Sequence, residues 1–266
     1  NLKLAVCQLK PAYDKQKNID KAVKMIKKAS DAGANMALLP EMFVYPYEMN
    51  ALMHITDTHD ETISQLAACA KENNVYICSG SIPLKKGKKL TNTSFLIDRK
   101  GNTILTYSKC HLFDVSFNEL KVRESAYFSP GTEVQSASTE YGRIGIAICY
   151  DIRFPELIRK LTLQGIHILL VPAAFSILTG RAHWHTTFRC RAAENQIFIA
   201  AASPARNTAS SYKAYGHSMI IGPWGDVLAE AKTGEKVIIA ELNHRVLKEM
   251  RKRLPLLKQR RPDLYT

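Results

Sequence analysis

Two hydrophobic periods alternate along this chain. "LKLAVCQL" (2–9) is an apolar run of strand type, whereas "NIDKAVKMIKKASDAG" (18–33) carries apolar residues at helical spacing and ends on Gly33, a C-cap signal. "NMALLP" (35–40) reads as a buried strand, "ETISQLAACAKENN" (61–74) as an amphipathic helix and "VYICSGSI" (75–82) as the next strand. This β-α-β-α-β repetition predicts strands with parallel neighbours. The middle of the chain differs. "TNTSFLIDRKGNTILTYSK" (91–109) is two strands around the turn "DRKGN", and "HSMIIGPWGDVLAEA" (217–231) repeats the form around "GPWGD". Between them the pattern predicts a strand at 143–148, a helix from about Phe154, the strand "HILLVPAA", a helix around 182–195 and the strand "QIFIAAASP". The sum is a mixed-sheet α/β fold. With no composition break and no repeat, residues 1–266 are expected to form one domain, with a helical, basic C-terminal tail from about 243 that packs on the domain or on a partner subunit.

Composition adds little to this picture. An apolar fraction of 46% and a charged fraction of 23% are those of an ordinary globular protein. No run of eighteen apolar residues predicts a membrane span, and the N-terminal residues lack the build of a signal peptide, so the expected location is cytoplasmic. The net charge of +13 raises nucleic acid as a partner. The basic residues, however, fall into scattered clusters, "KMIKKAS", "LKKGKK" and "KEMRKRLPLLKQRR", with no helix-turn-helix, zinc-finger or RNP pattern. The middle cluster reads as a solvated hairpin tip. Nucleic-acid binding is not expected, and the charge is compatible with a small anionic substrate. The six cysteines form no C-x-x-C pair and read as reduced thiols, and no Cys/His spacing suggests a metal.

Reactive groups in α/β folds gather at the carboxyl ends of strands. Here "ALLPEMF" ends in Glu41, "ILTYSKCHLF" carries Lys109, and "GIAICYDIRFPEL" stops abruptly at Cys149 amid charge; the loop "KVRESAYFSPG" adds Glu124. Each alone has a bland reading as a solvated charge or a small buried hydrophobe. Together they suggest more. A thiol needs a base or a positive field to act as a nucleophile. A carboxylate can take its proton, and an ammonium can hold a developing oxyanion. Cys–His catalysis is the alternative, with His111, His183, His185 and His217 available, and spacing does not decide between the two. His183 and Trp184 read better as packing or an oligomer interface, Arg206 as structural, and Asp151 as a brace for the turn after Cys149.

The blocks "LLPEMF", "YSKCHLFD" and "GIAICYDIRFPEL" resemble, in order, the three signature blocks of the nitrilase superfamily of carbon–nitrogen hydrolases. "LTGRAHWHTTFRCRAAENQ", "YGHSMIIGPWG" and "LPLLKQRRPDLY" resemble later blocks of its amidase branches, so the likeness spans nearly the whole chain. It implies a four-layer α-β-β-α sandwich with two mixed sheets, a Glu41–Lys109–Cys149 triad, and Glu124 as a second glutamate beside it. "NQIFIAAASPARN" points to the ω-amidase branch rather than to the neighbouring deaminated glutathione amidases. The resemblance therefore implies hydrolysis of small 2-oxo dicarboxylic acid monoamides without metal or organic cofactor, by a homodimer or larger assembly. Arg153 is the first choice to hold the substrate carboxylate, unless it forms a salt bridge to Asp151 or Glu156. Tyr150 offers its N–H to the oxyanion, and Tyr47, Phe175 and Thr179 are further pocket candidates.

Overall fold

A computed structural model describes residues 1–52, 54–55, 61–87 and 89–265. The chain runs β1 (Leu2–Gln8), α1 (Lys15–Asp31), β2 (Met36–Leu38), α2 (Met49–Leu52), α3 (Glu61–Glu72), β3 (Tyr76–Cys78), β4 (Ile82–Lys86), β5 (Lys89–Ile97), β6 (Thr103–Ser108), β7 (Asp114–Ser116) and β8 (Lys121–Arg123). It continues through β9 (Ser136–Thr139), β10 (Gly142–Ile146), α4 (Pro155–Leu163), β11 (Ile168–Pro172), α5 (Ile177–Asn195), β12 (Phe198–Ala202), β13 (Met219–Ile221), β14 (Val227–Glu230), β15 (Lys236–Leu242) and α6 (His244–Arg253). The first sheet has the order β15-β1-β2-β3-β5-β4, with β6 also on β5; the second has the order β14-β13-β12-β11-β10-β9; β7 and β8 form a separate ribbon.

Both sheets are mixed. β1, β2 and β3 are parallel in one, β10, β11 and β12 in the other, and antiparallel strands complete each. Side-chain alternation along β1 shows the layering. Leu2, Leu4 and Val6 join a core that also contains Ile144, Ile168 and Ile199 of the second sheet, while Cys7 joins Ile19, Ala22 and Ile26 of α1 and Leu66 of α3. On the far side Leu157 and Leu161 of α4 and Trp184 and Phe188 of α5 cover the second sheet. The result is the α-β-β-α sandwich. Strands buried on both faces need apolar residues throughout, and Ile168 to Val171 of β11 are fully buried. No helix among the described residues is long and apolar enough to cross a membrane.

One sequence expectation changes, and several strands appear that the pattern did not predict. "VYICSGSI" is not one strand: it breaks between β3 and β4 at Gly80, whose φ of +67° places it in the left-handed region. A Cβ there would lie 2.1 Å from the Pro40 carbonyl oxygen. The strand "SAST" and the ribbon β7–β8 escaped the pattern because both are short and the ribbon is largely exposed, and β15 crosses from the second sheet's side to pair with β1. The cluster "LKKGKK" does lie at a hairpin tip, where Lys86 pairs with Lys89 around Gly87; Lys88 lies outside the described residues.

Candidate active site

Glu41 follows β2. Leu39 extends that strand by donating to the Cys78 carbonyl, and the Pro40 carbonyl then accepts from Ser81 N–H at 3.2 Å, so the loop bearing Glu41 is held across the gap at Gly80. Lys109 follows β6, with its N–H on the Asn92 carbonyl and its carbonyl accepting from Gly131, both at 2.8 Å. Glu124 opens a short 3-10 turn after β8. All three side chains are buried.

They meet. Lys109 Nζ donates to Glu41 Oε1 and to Glu124 Oε2, each at 2.8 Å. Asn92 Nδ2 bridges the same carboxylates, to Glu41 Oε1 at 2.9 Å and Glu124 Oε1 at 3.0 Å, and Phe113 N–H holds Glu124 Oε2 at 2.6 Å. An ammonium has three N–H donors. Two are spent here, and no further acceptor bonds Nζ among the described residues. Glu41 likewise uses only Oε1; its buried Oε2 makes no hydrogen bond of ordinary length.

Cys149 begins the turn after β10. Its φ is +47°, a strained value for a residue with a Cβ, and it turns the chain sharply out of the strand. Asp151 braces the bend: Oδ2 accepts from Ile148 N–H at 2.9 Å and from Tyr107 hydroxyl at 2.7 Å, and Oδ1 accepts from His111 N–H at 2.9 Å. The Ala174 N–H points at Cys149 Sγ at 3.5 Å.

Burial and mutual charge set the protonation states. Burial raises Glu41 above the ordinary carboxylate range, against the pull of Lys109, and Glu124 adds to the rise. For Lys109, burial favours loss of the proton, but Glu124 and Glu41 outweigh it and hold the ammonium charged well above its ordinary range. Burial and the negative field of Glu41 raise the Cys149 thiol, which couples directly to the Glu41 carboxyl. Burial and charge thus favour a neutral thiol, a carboxyl group made more basic and an ammonium that holds its proton.

The histidine alternative finds no support in this geometry. His111 Nδ1 is on Asp151, His183 Nδ1 accepts from Arg153, and His185 and His217 are on Glu230. Among the described residues no histidine bonds Cys149 Sγ.

Arg153 is half-buried, and no carboxylate lies within salt-bridge distance of it among the described residues; the expected alternative pairing with Asp151 or Glu156 is not formed, because Asp151 is fully engaged in the turn and Glu156 points to solvent. Its guanidinium instead lies 4.6 Å over the Phe175 ring and 5.9 Å from Tyr150, with Nη1 donating to His183 Nδ1 at 3.1 Å. Phe175 is in turn packed on Trp184 and Phe188. Thr179 is part of the α5 cap, its hydroxyl 3.1 Å from that of Ser176. Tyr47 is buried with an unpartnered hydroxyl, its ring 4.8 Å from Tyr212. These two tyrosines line both a small cavity that reaches Glu41 and an open cleft of about 660 Å³ beside Lys121 and Arg123.

Sequence reading missed Asn92 and Tyr212. A buried Asn inside an otherwise β-forming strand is a signal in retrospect, since strand interiors are depleted in Asn. Tyr212, whose hydroxyl donates to the Ala174 carbonyl beside the thiol, lies in a polar loop with no pattern to mark it.

The geometry has close relatives. The chain is 38% identical over 267 residues to omega-amidase NIT2 of Homo sapiens, an alignment covering 100% of this chain and 97% of that one. The solved structure of Saccharomyces cerevisiae Nit3, a member of branch 10 of the nitrilase superfamily, superposes with a TM-score of 0.89 at 36% identity, covering 98% and 96% of the two chains. A mutant of the amidase from Nesterenkonia sp. AN1, in which acrylamide has added at the active site cysteine, superposes with a TM-score of 0.82 at 25% identity over 96% and 98%. The carbon–nitrogen hydrolase family model matches residues 3–252, and with a sandwich of this order and relatives of this similarity, the chain belongs to the carbon–nitrogen hydrolases of the nitrilase superfamily.

Proposed function

We propose that the chain hydrolyses the terminal amide of small 2-oxo dicarboxylic acid monoamides, such as 2-oxoglutaramate and 2-oxosuccinamate, through a thioester on Cys149. The observation that carries the chemistry is the bifurcated salt bridge of Lys109: it leaves one ammonium N–H and one carboxylate oxygen, Glu41 Oε2, uncommitted beside the thiol. Glu41 takes the thiol proton as Sγ bonds to the amide carbon. The oxyanion is met by the third N–H of Lys109 and the backbone N–H of Tyr150. Glu41 returns the proton to the leaving nitrogen, and ammonia departs. A water then loses a proton to Glu41 and adds to the thioester; collapse releases the carboxylic acid, and Sγ recovers its proton from Glu41. Glu124 anchors Lys109 and keeps its charge. No step calls for a metal or an organic cofactor.

Arg153 supports the choice of substrate. A half-buried guanidinium with aromatic faces and no carboxylate partner among the described residues, four residues past the nucleophile, suits a substrate carboxylate. The name omega-amidase carried by the human relative agrees with this reading. Ammonia release from 2-oxoglutaramate, 2-oxosuccinamate, deaminated glutathione, asparagine and a simple nitrile tests it. The 2-oxo monoamides should show the highest kcat/KM. A preference for deaminated glutathione would move the chain to the neighbouring specificity while keeping the chemistry.

A further inference from the structure

Away from the nucleophile, three side chains from separate elements converge. His185 lies on α5, His217 on the segment entering β13, and Glu230 at the end of β14. Glu230 Oε1 faces His185 Nε2 at 2.9 Å and His217 Nδ1 at 2.8 Å, and the three atoms lie within 4.8 Å of one another. Among the described residues it is the one cluster of at least three His, Cys, Asp or Glu side chains so gathered.

The groups are held in place. Tyr215 stacks on the His217 ring at 4.4 Å, with the planes 23° apart, and meets the His185 ring edge-on at 6.4 Å. Trp184 Nε1 donates to the His217 carbonyl at 2.7 Å, and the β13–β14 register sets Glu230 opposite Met219. The three side chains are 37%, 23% and 33% exposed, so an ion can enter from solvent and keep a water.

We propose that His185, His217 and Glu230 bind one divalent ion of the zinc class, outside the catalytic centre. Two imidazoles and one carboxylate are a donor set that zinc takes in open sites, and imidazole suits ions of this class. Metal bonds of about 2.0–2.2 Å at tetrahedral angles put donors roughly 3.4 Å apart, which side-chain torsions reach from the present spacing. On binding, each neutral ring keeps its proton on the nitrogen that faces away, Nδ1 of His185 and Nε2 of His217, and gives the inner lone pair to the ion. A water completes the tetrahedron. The elements joined, α5 and the β13–β14 hairpin, would then be clamped to each other.

The test is a calorimetric zinc titration of the chelator-stripped chain carrying Cys149→Ala, so that the active thiol cannot capture the ion, with thermal unfolding alongside. The expected result is one zinc per chain and a rise in Tm on binding. His185→Gln and Glu230→Gln, both at partly exposed positions, should keep the zinc-free Tm, lose the rise, and weaken binding at least about tenfold each. No saturable binding at one equivalent, or binding unchanged in either variant, would overturn the proposal. So would a loss of binding seen instead in Cys190→Ser, which would assign the ion to that exposed thiol.

Discussion

Replacing Lys109 by Met separates the two tasks of the central lysine. The ammonium is fully buried and joined to Glu41 and Glu124 at 2.8 Å each. Met has nearly the same length but no charge, so two carboxylates bridged by Asn92 would face each other without a cation. Breaking a buried ion pair from one side costs about 3–5 kcal/mol, which in a chain of this size lowers Tm by roughly 10 °C and remains within an ordinary folding stability of about 5–15 kcal/mol. Loss of one oxyanion donor costs a further ~2.7–4 kcal/mol of barrier, about 10²–10³ in kcat. The two losses part company in Lys109→Met/Glu124→Gln, which removes one of the orphaned charges. Stability should recover in part; kcat should not. Urea unfolding and ammonia release at saturating 2-oxoglutaramate measure both. If the double variant regains activity in step with stability, or if Lys109→Met stays within about threefold of wild-type kcat, Lys109 is a strut and the assignment to the oxyanion is wrong.

Four further outcomes follow from the same geometry. Burial holds Glu41 above the ordinary carboxylate value of about 4.3, so kcat/KM should fall on the acid side with an apparent pKa above that value; an acid limb at or below 4 would remove Glu41 as the base. Glu124 and Glu41 raise Lys109 despite its burial, so its contribution to stability is complete below about 10.4 and is lost only as pH rises through its higher folded value; alkaline unfolding of wild type against Lys109→Met reads this directly. Arg153→Met should lower kcat/KM for 2-oxoglutaramate by roughly ten- to 150-fold, the worth of a charged hydrogen bond of about 1.5–3 kcal/mol, yet leave an uncharged aliphatic amide nearly untouched; equal losses on both would deny Arg153 a role in holding the carboxylate. Gly80→Ala should cut kcat with less effect on KM, because a Cβ 2.1 Å from the Pro40 carbonyl must displace the loop that carries Glu41; unchanged kcat in a variant whose crystal structure shows the loop shifted would show that Glu41 need not be held there.

Much of the site was legible because its members end apolar strands. Glu41, Lys109 and Cys149 each follow a buried run, and the sheet topology brings those ends together. The supporting residues were harder to find, for physical reasons. Asn92 and Tyr212 work through hydrogen bonds whose partners lie far away in sequence, such as Glu124 and Ala174, whereas the brace from Asp151 to Ile148 is local and was expected. Periodicity reports which face is apolar, not which polar group is satisfied. The break at Gly80 depends on the close approach of Pro40, a contact that no local pattern encodes. The His185–His217–Glu230 cluster drew no metal reading for the same reason: its donors come from a helix and a hairpin, with none of the short spacings that mark a zinc site. Arg153 shows the converse. Its nearest acidic residues in sequence suggested a salt bridge, but the turn at Cys149 consumes Asp151 and leaves the guanidinium on aromatic faces.

The claim on which the rest depends is that Cys149 is the nucleophile. Ammonia release by Cys149→Ala, with folding verified by its unfolding transition, tests it most directly. The account predicts loss of turnover on the order of 10⁶-fold, the scale seen when a hydrolase loses its nucleophile, with Tm little changed since alanine fits the space. Turnover within tenfold of wild type would contradict it.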